Sequence, residues 1–170
     1  MSKPHDFLAK IFCHKTKALV LLLGLTFLAG CGELLEPRYN LLGGGSISLK
    51  ELEGKVVLIN YWAEWCRPCR AEIPELNQFA EDHHNSVRVL SVNFDGVEGE
   101  QLIAQVAALG IEFDTLLQDP RDALAVPASG GLPETIVLNR KSKVQEILVG
   151  PQTKQSLEEA LLSIPSEFVE

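Results

Sequence analysis

Val56-Val57-Leu58-Ile59-Asn60-Tyr61-Trp62-Ala63-Glu64-Trp65-Cys66-Arg67-Pro68-Cys69 decides how this chain is read. The first half is a near-continuous apolar run rich in β-branched residues, the pattern of a strand buried on both faces. Residues 68–82 then follow helical spacing, with Ile73, Leu76, Phe79 and Ala80 on one face. Pro74 falls inside that pattern and predicts a kink. A C-x-x-C at the junction of a buried strand and a helix is a redox signature. Cys66 is expected at the helix N-terminus, where free N–H groups and the helix dipole favour a thiolate. Cys69 lies one turn inside on the same face, so the two sulfurs can bond. An exposed Cys66 would attack a substrate disulfide, and Cys69 would resolve the mixed disulfide. Pro68 stiffens the turn behind Trp65, and Arg67 brings a cation near the thiolate.

The rest of the chain extends an alternating α/β pattern. Ser46–Leu49 predicts a short edge strand. Val87–Phe94 predicts a second buried strand. Gly99–Leu109 predicts a helix with Leu102, Ile103, Val106 and Leu109 inward. Phe113–Leu117 reads as a short strand and Asp122–Val126 as a helical turn. Thr135–Asn139 and Val144–Val149 pair as a hairpin across Arg140-Lys141-Ser142-Lys143, and Ser156–Ser163 closes the chain as a helix. This order predicts a mixed sheet flanked by helices.

The N-terminus reads as an export signal and not as part of the fold. Lys3, Lys10, Lys15 and Lys17 precede the uncharged run Ala18–Ala29, a basic and then an apolar region. That run falls short of the roughly 20 residues that span a bilayer. Leu28-Ala29-Gly30-Cys31 resembles the bacterial lipobox. The resemblance implies cleavage before Cys31 and lipidation of that residue, which tethers a protein to a membrane surface without spanning it. Gly32 after the Cys, in place of Asp, points to the outer rather than the inner membrane. The expected organisation is a signal over 1–30, a lipidated tether over 31–45, a folded domain over 46–164 and a flexible tail over 165–170.

Composition excludes several classes. The 170 residues are 46% hydrophobic and 22% charged, which suits one globular domain. A net charge of −8 argues against nucleic acid as a partner. With Cys13 in the signal and Cys31 lipidated, Cys66 and Cys69 are the remaining protein thiols. A pair closing so short a loop stabilises little. Zinc needs about four ligands, and His83 and His84 sit at the far end of the helix, so no metal site is expected. No cofactor is expected beyond the redox-active cysteine pair.

The quoted segment resembles the thioredoxin active site. Pro74 matches the proline inside that family's helix, and Gly131-Leu132-Pro133-Glu134-Thr135 resembles the loop whose cis-proline faces the redox pair. The resemblance covers roughly residues 46–164 and implies a thioredoxin-like fold. It also implies that the Leu132 backbone, exposed beside Pro133, pairs with a substrate peptide. Asn60 and Ser91 stand where cytosolic thioredoxins carry a buried Asp and a Lys. Asn60, together with Glu72 three residues after Cys69, resembles the TlpA/ResA-like, membrane-tethered branch. The long stretch from Asp95 to Gly131 fits that branch's helix–strand insertion, and Pro133-Glu134-Thr135 resembles its cytochrome c maturation members. Glu72 has two readings, a proton carrier for Cys69 if buried or a solvated helix residue. Glu64 is expected to be exposed.

The resemblance implies a protein disulfide reductase in the bacterial cell envelope, facing the periplasm. Its partners would be protein disulfides, such as apocytochrome c or other exported proteins, and a membrane electron donor. A C-x-x-C pair runs in either direction according to relative potentials. An oxidase or isomerase, and a tethered module that only senses redox state, therefore stand as alternatives. The close cysteine spacing argues against a peroxidase.

Overall fold

The computed structural model describes residues 36–165. The expected signal over 1–30, Cys31 and the last five residues of the expected tail lie outside the described residues. Chain from Glu36 onward forms one compact unit. Its elements in order are β1 (Arg38–Asn40), β2 (Ser46–Ser48), a 3-10 turn (Lys50–Leu52) and β3 (Val56–Trp62). Then come α1 (Arg67–Asp82), β4 (Val87–Asn93), α2 (Gly99–Leu109), β5 (Asp114–Leu116) and α3 (Arg121–Leu124). β6 (Glu134–Leu138), β7 (Val144–Val149) and α4 (Lys154–Ser163) complete it.

Five strands form a mixed sheet in the order β5-β4-β3-β6-β7. β3 runs parallel to β4 and antiparallel to β6. Every residue of β3 is buried, as its unbroken apolar run predicts for a strand covered on both faces. Alternation then sorts its side chains. Val56, Leu58 and Trp62 pack with Ile73, Leu76 and Phe79 of α1, Leu102 of α2 and Leu157 of α4. Val57, Ile59 and Tyr61 pack on the other face with Tyr39, Leu52 and Val126. Full burial of each of these large side chains stabilises the fold by about 1.5–3 kcal/mol. The segment from Asp95 to Gly131 holds α2, β5 and α3.

Three expectations need correction. The stretch read as tether is folded from Arg38: β1 pairs antiparallel with β2, Tyr39 opposite Ile47. Leu42 N–H donates to the Thr115 carbonyl at 2.9 Å, and Leu117 N–H to the Asn40 carbonyl at 2.8 Å. The hairpin therefore covers the open edge of β5. A three-residue strand with one buried side chain, Tyr39, is too short to show alternation. Ile103 is 54% exposed, and Gln105 takes the inward place on α2. Gln105 is buried because it is satisfied there, accepting from Asn93 Nδ2 at 3.1 Å and donating to Glu64 at 2.8 Å. β4 stops at Asn93, leaving Phe94 half-exposed beyond it.

Candidate active site: a helix-capping disulfide and two buried carboxyls

β3 delivers the chain to the site. After Trp62 the backbone turns, with Cys66 N–H donating to the Ala63 carbonyl at 3.1 Å. Arg70 fixes this turn from the helix, its guanidinium donating to the Glu64 carbonyl at 2.6 and 2.9 Å. Cys66 is the N-cap of α1 in extended conformation, and its Sγ accepts the Cys69 N–H at 3.2 Å. Pro68 sits in the first turn, where a missing N–H costs nothing. Cys66 and Cys69 form a disulfide, their Cα atoms 5.3 Å apart.

The surroundings differ from expectation at two points. The attacking sulfur was expected in the open, yet Cys66 is 3% exposed and Cys69 fully buried. In the disulfide state the Cys66 sulfur folds back over the helix end, against the same apolar cluster that holds Ile73 and Trp62. Trp65 instead forms the exposed rim, its indole N–H donating to Asp95 at 2.9 Å. Arg67 and Pro68 are exposed. Among the described residues the Arg67 side chain makes no hydrogen bond or ion pair, so its cation is solvated rather than held over the sulfur.

Glu72 is buried, which excludes the solvated reading. It lies one turn past Cys69 on the inward face of α1. Asn60 Nδ2 donates to one carboxyl oxygen at 2.8 Å and Gln152 N–H to the other at 2.9 Å. Asn60 also donates to Thr135 Oγ1 at 3.0 Å, while its own Oδ1 is buried with no partner among the described residues. Burial pushes the Glu72 pKa up to about 7, against the lowering effect of the Gln152 and Asn60 donors. Among the described residues its partners are both neutral. The carboxyl is therefore poised to hold or release a proton near neutral pH. Ser91, the other position that departs from cytosolic thioredoxins, is buried and hydrogen-bonded to Thr115 at 2.8 Å.

Opposite the helix, the Leu132–Pro133 bond is cis. Leu132 packs against the cluster containing Cys66 and Cys69. Pro133 C=O accepts from Gly150 N–H at 2.9 Å, whereas the Leu132 N–H and C=O are unbonded among the described residues. Glu64 is exposed as expected. His83 packs on Phe79 with ring centroids 4.6 Å apart, at the C-terminal end of α1 and away from the cysteines. Among the described residues no group of three His, Cys, Asp or Glu could hold a metal ion.

A second buried acid was not singled out from sequence. Glu134 follows Pro133 and faces the side of the sheet away from α1. Arg121 Nη1 donates to it at 2.8 Å and to the Pro127 carbonyl at 2.9 Å. Ser129 donates to its other oxygen through N–H at 3.0 Å and through its hydroxyl. The Arg121 guanidinium lies 4.1 Å from the centre of the Tyr61 ring, and Tyr61 donates to Asp119 at 2.6 Å. Burial works to raise the Glu134 pKa, but the bonds from Ser129 and Arg121 outweigh it and hold the carboxyl below its ordinary value. The one signal was an acid opening the apolar run Thr135-Ile136-Val137-Leu138. Its partner lies 13 residues upstream, at the start of the four-residue helix α3, which is too short to show a period.

The AhpC/TSA family profile matches residues 36–147. The chain belongs to that family. It is 33% identical over 130 residues to thioredoxin-like protein YneN of Bacillus subtilis, covering 74% of this chain and 75% of that one. It is 30% identical over 125 residues to thiol-disulfide oxidoreductase ResA of Bacillus anthracis, covering 72% and 71%. The crystal structure of a DsbF homologue from Corynebacterium diphtheriae superposes with a TM-score of 0.65 at 27% identity, covering 76% of this chain and 84% of that one. The fold is thioredoxin-like, and the cysteine pair sits where the resemblance placed it.

Proposed function

We propose that this protein is a membrane-tethered, extracytoplasmic thiol-disulfide oxidoreductase that reduces protein disulfides. The observation that carries this reading is a disulfide capping a helix with a buried, protonatable Glu72 one turn beneath it. The similarity to relatives named thiol-disulfide oxidoreductase supports the reaction class. The lipobox-like Leu28-Ala29-Gly30-Cys31 supports the tether, and the described residues contain no helix long and apolar enough to cross a membrane. Protein disulfides of exported proteins, apocytochrome c among them, are the substrates, and a membrane dithiol carrier is the donor. Gly32 favours the outer membrane.

The cycle starts with both cysteines reduced by that donor. The Cys66 thiolate, favoured by the helix N-terminus, attacks one sulfur of the substrate disulfide. The other substrate sulfur leaves as a thiolate and takes a proton from water. Cys69 gives its proton to ionised Glu72 and attacks Cys66 Sγ. This releases the second substrate sulfur, which takes the Glu72 proton, directly or through solvent. The substrate gains two electrons and two protons, and Cys66 and Cys69 become the disulfide seen in the structure. A carboxyl with a pKa near 7 suits both halves of that exchange.

The test is the reduction potential of the pair. A value near or below about −250 mV fits a reductase with a dedicated donor, and one near about −120 mV overturns it in favour of an oxidant. Cys31→Ala tests the tether separately: the protein should move from the membrane to the soluble fraction.

A further inference from the structure

We propose that the Arg121–Glu134 ion pair is a positioning device for the loop at residues 126–132, setting how tightly a protein disulfide docks without taking part in sulfur exchange. The inference rests on the oxidoreductase reading above and adds a determinant on the opposite face of the sheet from Glu72.

The geometry is that of a clamp. Glu134 stands directly after Pro133, and its carboxyl reaches back to Ser129, two residues before Gly131. Arg121 holds the same carboxyl with Nη1 and the Pro127 carbonyl with that same nitrogen. The loop is thereby fixed at Pro127, Ser129 and Glu134, on both sides of Leu132. Between these anchors lie Ala128, Gly130 and Gly131, and Gly130 adopts a positive φ of 79°. Glycine makes such a segment conformationally permissive, so its shape depends on the anchors. Leu132 carries the backbone N–H and C=O that have no partner in the described residues, as an extended peptide would require for strand-like pairing. Fixing that edge in advance lowers the ordering cost of docking.

Stability alone is a weak reason for the pair. The Arg121 and Glu134 side chains are 11% and 2% exposed, and a buried ion pair is often no better than an apolar pair of similar volume. What an apolar pair cannot supply is the set of bonds to Pro127 and Ser129. Neither residue is placed to touch the sulfurs, because Glu134 and Tyr61 share the sheet face turned away from α1. Their influence on turnover must pass through the loop.

The experiment compares insulin with a small disulfide, bis(2-hydroxyethyl) disulfide, using the full chain with dithiothreitol as donor. The double variant Arg121→Met/Glu134→Gln removes both charges and avoids stranding one. Its KM for insulin should rise by about tenfold with kcat held, while small-disulfide turnover and reduction potential stay at wild-type values. Ser129→Ala, which keeps the ion pair and the residue-129 N–H bond but loses the hydroxyl bond to Glu134, should give a smaller rise in the same KM. Circular dichroism and a melting curve check folding of each. The proposal is overturned if the double variant docks insulin like wild type, or if both substrates decline in parallel. An unchanged insulin KM in Ser129→Ala also overturns it, and that variant decides the matter should the double variant not fold. Wild-type protein inactive on both substrates would instead overturn the oxidoreductase reading itself.

Discussion

Glu72 and Glu134 are both buried, and they carry opposite charge preferences. Glu72 projects inward from α1 and meets only neutral donors, Asn60 and the Gln152 amide. Glu134 faces α3 and meets a guanidinium. Burial acts on both in the same direction. The sign of the outcome is decided by how much compensates: Glu134 receives the Ser129 hydroxyl and N–H as well as Arg121, whereas Glu72 receives only two neutral donors. One carboxyl is left able to exchange a proton near neutral pH and the other is locked as an anion. The first is suited to chemistry and the second to holding a loop in place. One strand, β3, thus serves both carboxyls, because alternation sends Asn60 to the side of Glu72 and Tyr61 to the side of Glu134.

The most disruptive way to break this contrast is to remove the charge. Arg121→Met should leave Glu134 buried and unpaired, costing about 3–5 kcal/mol at pH 7. Glu134 would keep only the Ser129 donors, and its pKa should rise from its lowered value. Urea denaturation at pH 7 and pH 5 would show it, because the loss should shrink at the lower pH as Glu134 becomes protonated. A loss below about 1 kcal/mol, the range of a surface pair, would mean the ion pair is effectively solvated.

The next effect concerns Glu72. Its folded pKa is about 7 against an ordinary 4.5, so the folded state binds the proton more tightly than the unfolded one. The associated stability is fully present below about pH 4.5 and is lost as pH rises through 7, amounting to about 3 kcal/mol. Glu72→Gln cannot ionise. The difference in stability between variant and wild type, both oxidised, should grow in favour of the variant across that window. A constant difference from pH 4.5 to 8 would mean that Glu72 titrates normally. Glu134 has the opposite sign: its contribution is present above the ordinary carboxylate range and is lost only on further acidification.

How far such features could be read in advance follows from the range of each signal. β3 and α1 were legible because a seven-residue run broken only by Asn60 and a 3.6-residue period are local patterns. The C-x-x-C was informative for the same reason, since its meaning depends on the strand before it and the helix after it. Glu72 was visible as a position but not as an environment. Its burial depends on Asn60, 12 residues earlier, and on the Gln152 amide, 80 residues later. The Arg121–Glu134 pair was invisible, because an arginine opening a four-residue helix carries no period. β1 was missed because its evidence lies in bonds to Thr115 and Leu117 rather than in its own three residues. Ile103 misled because an apolar residue near a helix stripe is counted inward by default, while Gln105 earned that place through two side-chain bonds.

A smaller effect separates the dipoles around Glu72. Asn60→Ala removes the side-chain donor and leaves the Gln152 amide. A hydrogen bond to a charged group is worth about 1.5–3 kcal/mol, so ionised Glu72 becomes harder to form and its midpoint should move up by about one pH unit. Carbon-13 NMR of the Glu72 carboxyl would follow this directly. A midpoint that stays put would show that the backbone amide alone sets the anion's stability.

The smallest expected effect tests how local the locked anion is. Tyr61 lies under Arg121 and donates to Asp119. Its own pKa is raised, by burial first and then by that hydrogen bond. Tyr61→Phe deletes the hydroxyl and keeps the ring under the guanidinium. The lost bond should cost about 1 kcal/mol, read as a shifted urea midpoint with an unchanged slope. The Glu134 carboxyl should keep its low pKa in that variant, because Ser129 and Arg121 still donate to it. If its carbon-13 titration moves upward instead, Asp119 and Tyr61 are holding the guanidinium in place. The locked state would then belong to a four-residue network, with the ion pair only one part of it.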